Sequence, residues 1–228
     1  MCGRYGLWTP EDEMARLFNI DCTLGDARPT FNAAPSQMLP VIFERCEDGA
    51  EESERRMQPL QWGLVPSWAR DAKRPMINAR SETLLEKPSF KGATRRQRCL
   101  VPANGYYEWQ VENGSKQPWF LSQGEGDPVM GFAGIYDAWK TPDGDEWLRT
   151  FAIITRSAPD AVGHIHDRSP VVVPEGMWAD WLDPQTQDDG EIQQMLEAIP
   201  GPNLHPRKVG KAVGNVRNNN PSLIEPIE

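Results

Sequence analysis

Twenty-one prolines and nineteen glycines are scattered through the 228 residues of this chain, and no low-complexity linker gathers them. Proline removes a backbone donor and glycine weakens helix interiors, so punctuation this dense excludes long helices and predicts many ordered turns. Between the breaks the apolar runs are strand-like: Leu39 to Phe43, Cys99 to Pro102, Gly105 to Val111, Pro118 to Ser122, Val129 to Tyr136, Trp147 to Thr155 and Pro170 to Val173. Glu112-Asn113-Gly114 and Thr141-Pro142-Asp143-Gly144 supply turns between neighbouring runs. Helical periodicity is confined to a segment opened by Thr9-Pro10-Glu11-Asp12, with Thr9 as hydroxyl cap, and to Glu175 to Leu182 and Glu191 to Ile199. The expected fold is α+β: a mostly antiparallel, barrel-like sheet core with a few covering helices, in one domain over residues 1–228.

With 39% apolar and 25% charged residues, such a chain buries a core without staples, which excludes disorder and collagen. No run approaches the ~20 apolar residues of a membrane span, and no apolar stretch follows Met1-Cys2-Gly3-Arg4. Cysteines 2, 22, 46 and 99 share no C-x-x-C spacing, so neither a structural zinc site nor a disulfide framework is indicated. A soluble cytoplasmic monomer is the expectation. The formal charge of −9 argues by itself against a nucleic-acid partner. Its distribution reverses that inference, because nine basic and three acidic residues between Arg70 and Arg98 make that segment net +6. The acids gather instead in Glu44 to Glu54 and Asp180 to Glu191.

Cys2 follows the initiator methionine, and a side chain this small suits methionine removal. A terminal cysteine is a 1,2-aminothiol: its α-amine titrates near ~7.7–8.0 and its thiol near ~8.5. The amine can condense with an aldehyde to an imine, and the sulfur can then close a five-membered thiazolidine. A terminal cysteine also serves as acyl-transfer nucleophile in amidohydrolases that begin Met-Cys-Gly. For that reading Asn104-Gly105 is the one echo of an oxyanion pair, and the glutamine-binding arginine motif is absent. A third reading is a noncatalytic single-strand binding module in which Cys2 is incidental.

Six motifs in order carry a resemblance: Met1-Cys2-Gly3-Arg4-Tyr5, Phe31-Asn32-Ala33-Ala34-Pro35, Trp62 to Ala69, Ile77-Asn78-Ala79-Arg80-Ser81-Glu82-Thr83, Gly105-Tyr106-Tyr107-Glu108-Trp109 and His166-Asp167-Arg168-Ser169-Pro170. With Ala212 to Val216 they cover essentially the whole chain, which resembles the SOS response-associated peptidase (SRAP) family. The resemblance implies a sensor of abasic sites in single-stranded DNA or at single/double-strand junctions, and a compact bacterial-type form is the expectation. It implies capture of the sugar aldehyde on Cys2 as a thiazolidine, self-removal of Met1, weak lyase activity and slow reversal. No metal or organic cofactor is called for.

By resemblance Cys2 is the crosslinking residue and Asn78 positions its backbone and amine. Glu108 shuttles protons, and His166 assists opening of the sugar ring. Arg4, Asn32, Pro35, Trp68, Arg80, Trp109, Thr155 and Arg168 fall where the family holds or wedges DNA, and Ser169 departs from the longer side chain of many relatives. The residues themselves fit such chemistry. A carboxylate in an apolar strand is raised by burial into a proton donor and acceptor, and flat rings stack on unpaired bases. Period-two spacing would place Cys2 with Arg4, Asn78 with Arg80, and His166 with Arg168. His164 and His166 could instead share a metal, but only His205 remains as a third histidine and no acidic cluster has ligand spacing.

Overall fold

A computed structural model describes residues 2–26, 28–46, 53–144 and 146–227. Met1 and most of the acidic Glu44 to Glu54 stretch lie outside the described residues. The strands are β1 (Tyr5–Leu7), β2 (Cys22–Thr23), β3 (Thr30–Ala33), β4 (Met38–Cys46), β5 (Ser53–Trp62), β6 (Asn78–Arg80), β7 (Arg98–Ala103), β8 (Gly105–Glu112), β9 (Ser115–Ser122), β10 (Met130–Lys140), β11 (Trp147–Ser157), β12 (Arg168–Pro170), β13 (Val172–Val173) and β14 (His205–Lys208). The α-helices are α1 (Glu11–Leu17), α2 (Pro88–Arg96), α3 (Asp160–Gly163), α4 (Trp178–Leu182) and α5 (Asp189–Ala198).

Five strands close a barrel. Antiparallel pairing runs from β5 through β4, β7 and β10 to β11. The ring then closes by a short parallel pairing of β11 on β5, Thr150 opposite Gln61 and Phe151 opposite Trp62. Closure leaves no open edge in the ring, and inward side chains such as Leu60, Trp62, Val101, Phe132, Phe151 and Ile153 merge into one buried cluster. A second, five-stranded sheet has the order β14-β9-β8-β1-β3. It meets the barrel through Tyr5, whose ring lies 5.2 Å from Trp62 and 6.4 Å from Phe132. Gly6 and Gly105 face each other across β1 and β8, and a Cβ on Gly105 would fall inside the Phe120 ring. The close approach of these strands fixes where the N-terminal segment runs.

The β8–β9 hairpin turns on Asn113 and Gly114, both left-handed at φ 49° and 77°, as a two-residue turn with matching twist requires. Several expectations need correction. Thr9 is not a helix cap: Pro10 occupies that position without a side-chain bond, and the Thr9 hydroxyl instead accepts from Asn104. Strand β5 and helix α2 had no prior signal, since charged side chains break the alternation of the first and the second reads as a basic run. The spacing of His166 and Arg168 does not reflect a shared strand, because β12 begins only at Arg168. Cys2 likewise precedes β1, whereas Asn78 and Arg80 do lie together on β6.

Candidate active site

Cys2 is fully buried in the seam between the two sheets. Its position follows from backbone pairing: the Tyr107 amide of β8 donates to the Arg4 carbonyl at 2.9 Å, extending β1 backwards toward residue 2. Asn78, carried by β6 on the flank of β11, donates from Nδ2 to the Cys2 carbonyl at 2.8 Å. Its Oδ1 is buried and has no partner among the described residues. Burial pushes the Cys2 thiol up, and the nearby Glu108 carboxylate pushes it in the same direction.

Glu108 sits next along β8 from Tyr107 and is 4% exposed. Burial holds its carboxyl above the usual carboxylate range, against the opposing pull of His166. His166 Nε2 lies 3.9 Å from Glu108 Oε2. The loop bearing this histidine is pinned by Ile165, buried beneath it, and by the bond from the Gln110 amide to the His164 carbonyl at 3.0 Å. His166 Nδ1 accepts from the Arg168 amide at 3.0 Å, which places the ring proton on Nε2, facing Glu108. Exposed Asp167 also has an oxygen 3.0 Å from Nδ1, poised to bridge a proton there when the ring is charged. Cys2, Asn78, Glu108 and His166, distant in sequence, thus converge: an electron-rich sulfur, an amide anchor and a carboxylate–imidazole pair able to relay a proton.

The residues expected to hold DNA divide into two sets. Trp68 is 63% exposed on the loop before β6, Arg80 is exposed, and Pro35 sits half-buried in an exposed turn whose next residue, Ser36, is left-handed. Trp109 is half-buried with the Arg4 guanidinium 5.8 Å from its ring centre. The other set is occupied inside the fold. Asn32 is 1% exposed, accepts from Arg4 at 2.7 Å, and donates to the carbonyls of Val213, Asn215 and Asn218. Thr155 is fully buried, and its oxygens receive the Arg168 guanidinium. Arg168 also makes a two-bonded pair with Glu82 at 2.6 and 2.9 Å, a partner 86 residues away that no local motif reveals. That pair holds the Glu82 carboxyl down at about 2. Asn32 and Thr155 are thus engaged within the fold, and the Arg168 guanidinium is paired with Glu82.

The Arg70 to Arg98 segment divides in the same way. Arg98 is buried and donates to the carbonyls of Thr94, Arg95, Trp181, Asp183 and Thr186, while Arg95 and Lys91 pair with Asp189. Burial lowers Arg98 to about 10. Arg70, Arg74, Arg80, Lys87 and Arg96 remain exposed. The Asn104 side chain accepts from the amides of Trp8 and Thr9 and donates to Thr9 Oγ1 and the Asp127 carbonyl. With every valence used, it has none for an oxyanion, which removes the echo of an amidohydrolase. No group of three metal-ligating side chains occurs among the described residues.

A closed five-stranded barrel, a docked second sheet and a buried cysteine beside a glutamate–histidine pair define the class. The chain belongs to the SOS response associated peptidase (SRAP) family, whose model matches residues 1–216. It is 38% identical over 230 residues to the abasic site processing protein YoqW of Bacillus subtilis, covering 99% of each chain. It is 34% identical to the chicken abasic site processing protein HMCES, over 90% of this chain and 68% of that one. Among solved structures, a Bacteroides thetaiotaomicron protein superposes with a TM-score of 0.83 at 24% identity over the full length of both. A phage-related protein from Bordetella bronchiseptica superposes with a TM-score of 0.68 at 30% identity, covering 91% of this chain and 94% of that one.

Proposed function

We propose that this protein processes abasic sites in DNA by bonding the exposed sugar aldehyde to Cys2 after loss of Met1. The observation that carries the reading is the clamp of Asn78 on the Cys2 carbonyl, with Glu108 close enough to raise the Cys2 thiol. The freed α-amine attacks the aldehyde carbon, a C–N bond forms, and one water leaves as the imine appears. Sulfur then adds to the imine carbon while its proton passes to nitrogen, closing the thiazolidine with no further loss of atoms. A carboxyl raised by burial is suited to give a proton to the departing oxygen and to take one from the thiol, and the His166 Nε2 proton lies on the same relay. Ring opening, weak strand cleavage and reversal of the adduct draw on that relay, and removal of Met1 is an activity of the same chain. The names of the bacterial and vertebrate relatives support the substrate.

The lesion is read in single-stranded DNA or at a single/double-strand junction, with Trp68 and Trp109 as stacking surfaces, the Pro35 turn as wedge and Arg80 on phosphate. The protein acts as a monomer and without a cofactor. Intact mass tests the reading most directly: the purified chain should lack Met1, and after incubation with an abasic oligonucleotide it should gain that oligonucleotide's mass less one water. A normal yield of adduct on chains that retain Met1 would overturn the reading.

A further inference from the structure

A second groove, away from Cys2, opens where the barrel seam parts. Strand β11 touches β5 only at Thr150 and Phe151, and beyond them toward Trp147 the two strands diverge around a cavity of about 1270 Å³. Its floor is the Phe43 and Tyr136 ring pair, 4.7 Å apart. Arg45, Arg96 and Arg149 line it, and all three are exposed. Burial pushes the Tyr136 hydroxyl up, and Arg45 and Arg149 oppose that push. The lining carboxylates are already engaged: Glu44 takes two bonds from Arg55, and Asp137 accepts the amides of Ser67 and Ala138. Trp147 and Met38 line the groove 62% and 58% exposed, an unusual exposure for residues of this size.

The groove borders the loop that leads to Asn78 of the Cys2 site. Asn78 is level with Ile153 on β11, so Arg149 lies four residues, or ~13 Å, along the same strand. Between them stands the loop that carries Trp68. A bridge of Leu64 with Met76 closes its base two residues before Asn78, and Ser67 of the same loop lines the groove. We infer that this groove is a second binding site, which takes the single strand of nucleic acid leaving the Cys2 site past Trp68, its phosphates on Arg45, Arg96 and Arg149 and a base on Trp147. The inference rests on the proposed function for its ligand. Guanidinium groups without a carboxylate partner among the described residues, beside an exposed flat ring, are the combination that holds an unpaired strand without regard to sequence, whereas a duplex buries the base faces that Trp147 needs.

The test compares lesion-bearing single strands of about 5 and about 20 nucleotides, lengths that bracket the ~4–16 nucleotides typical of one such groove. In the wild type the longer strand binds more tightly. In R45Q/R96Q/R149Q that advantage should fall about 10-fold, and the slope of log affinity against log salt should flatten by about 2, from ~0.7 per phosphate contact. W147A should remove part of the same advantage, about 5-fold. Covalent capture of the short strand should be unchanged in both variants. An undiminished length advantage in a folded triple variant overturns the inference and leaves the function intact, and so does equal competition by a duplex or by polyglutamate. Failure of the wild type to capture either strand overturns the function instead.

Discussion

Two asparagines, Asn104 buried and Asn78 half-buried, show how differently this chain treats inward-facing polar groups. Asn104 closes a complete network: it takes two amides and gives to a hydroxyl and a carbonyl, and beside it Asp127 receives both nitrogens of Arg207 at 2.7 and 2.6 Å. Burial alone would raise Asp127, but Arg207 and Ser122 outweigh it and hold the carboxyl low. Around Asn78 the network is incomplete. One amide bond is made, Asn78 Oδ1 and the Tyr5 hydroxyl have no partner among the described residues, and Glu108 is held high by burial. Satisfied buried groups specify structure, whereas groups kept under-satisfied at a cost of ~1–3 kcal/mol each are available for chemistry.

Substitutions should separate the two regions. The largest effect is expected for Cys2→Ala, which should abolish the covalent species on a denaturing gel while noncovalent affinity for single strands stays within about 3-fold, since the phosphate contacts survive. A persisting adduct would assign the bond to another residue. Next, Glu108→Gln should slow adduct formation and release about 100-fold, the usual scale for a lost proton-transfer group. The same change should raise the melting temperature. A carboxyl whose folded pKa lies above its unfolded value costs stability once pH exceeds the unfolded value of ~4.3, and more as pH climbs to the folded value. The gain, about 2–4 °C per ~1 kcal/mol, should therefore appear at pH 7 and vanish at pH 4. A loss of stability at pH 7 would show that the Glu108 carboxyl contributes to the fold.

Asn104→Ala should do the reverse, costing about 3 kcal/mol in urea unfolding because two amides, a hydroxyl and a carbonyl lose partners together. The rate of adduct formation per folded molecule should not change. If that rate falls with stability, the Asn104 network reaches into the site and the contrast between the two regions dissolves.

What the sequence made legible follows the range of the interactions. Turns, strands and the clustering of apolar runs are local, so the α+β barrel could be anticipated, and Asn113-Gly114 could be placed to the residue. The motifs also named Cys2 and the three side chains that converge on it, through family resemblance rather than spacing: two of the three period-two arguments rested on strands that are not there. The charge pattern misled for a physical reason. A basic run looks like a phosphate surface until its partners are known, and Arg98, Arg95 and Lys91 are spent on carbonyls and a carboxylate about ninety residues away. Nor does a tryptophan announce its exposure: Trp147, at the start of a strand-like run, is 62% exposed.

The smallest effect concerns the pair that links the site to the surface. Glu82 grips Arg168 in the geometry a phosphate would use, so the carboxylate competes with DNA for the guanidinium. Glu82→Gln weakens the grip and should raise affinity for a lesion-free single strand about 3-fold, with a salt slope steeper by ~0.7 as one more phosphate is engaged. Stability should move the other way. A carboxyl depressed to about 2 contributes stability that is present above the unfolded value of ~4.3 and is lost as pH falls through about 2, so variant and wild type should differ at pH 7 and converge only below about pH 2. Affinity measured by fluorescence anisotropy across a salt series decides the matter. If Glu82→Gln weakens binding, Glu82 serves to aim Arg168 rather than to occupy it, and the pair belongs with Asn104 and Arg207 as structure.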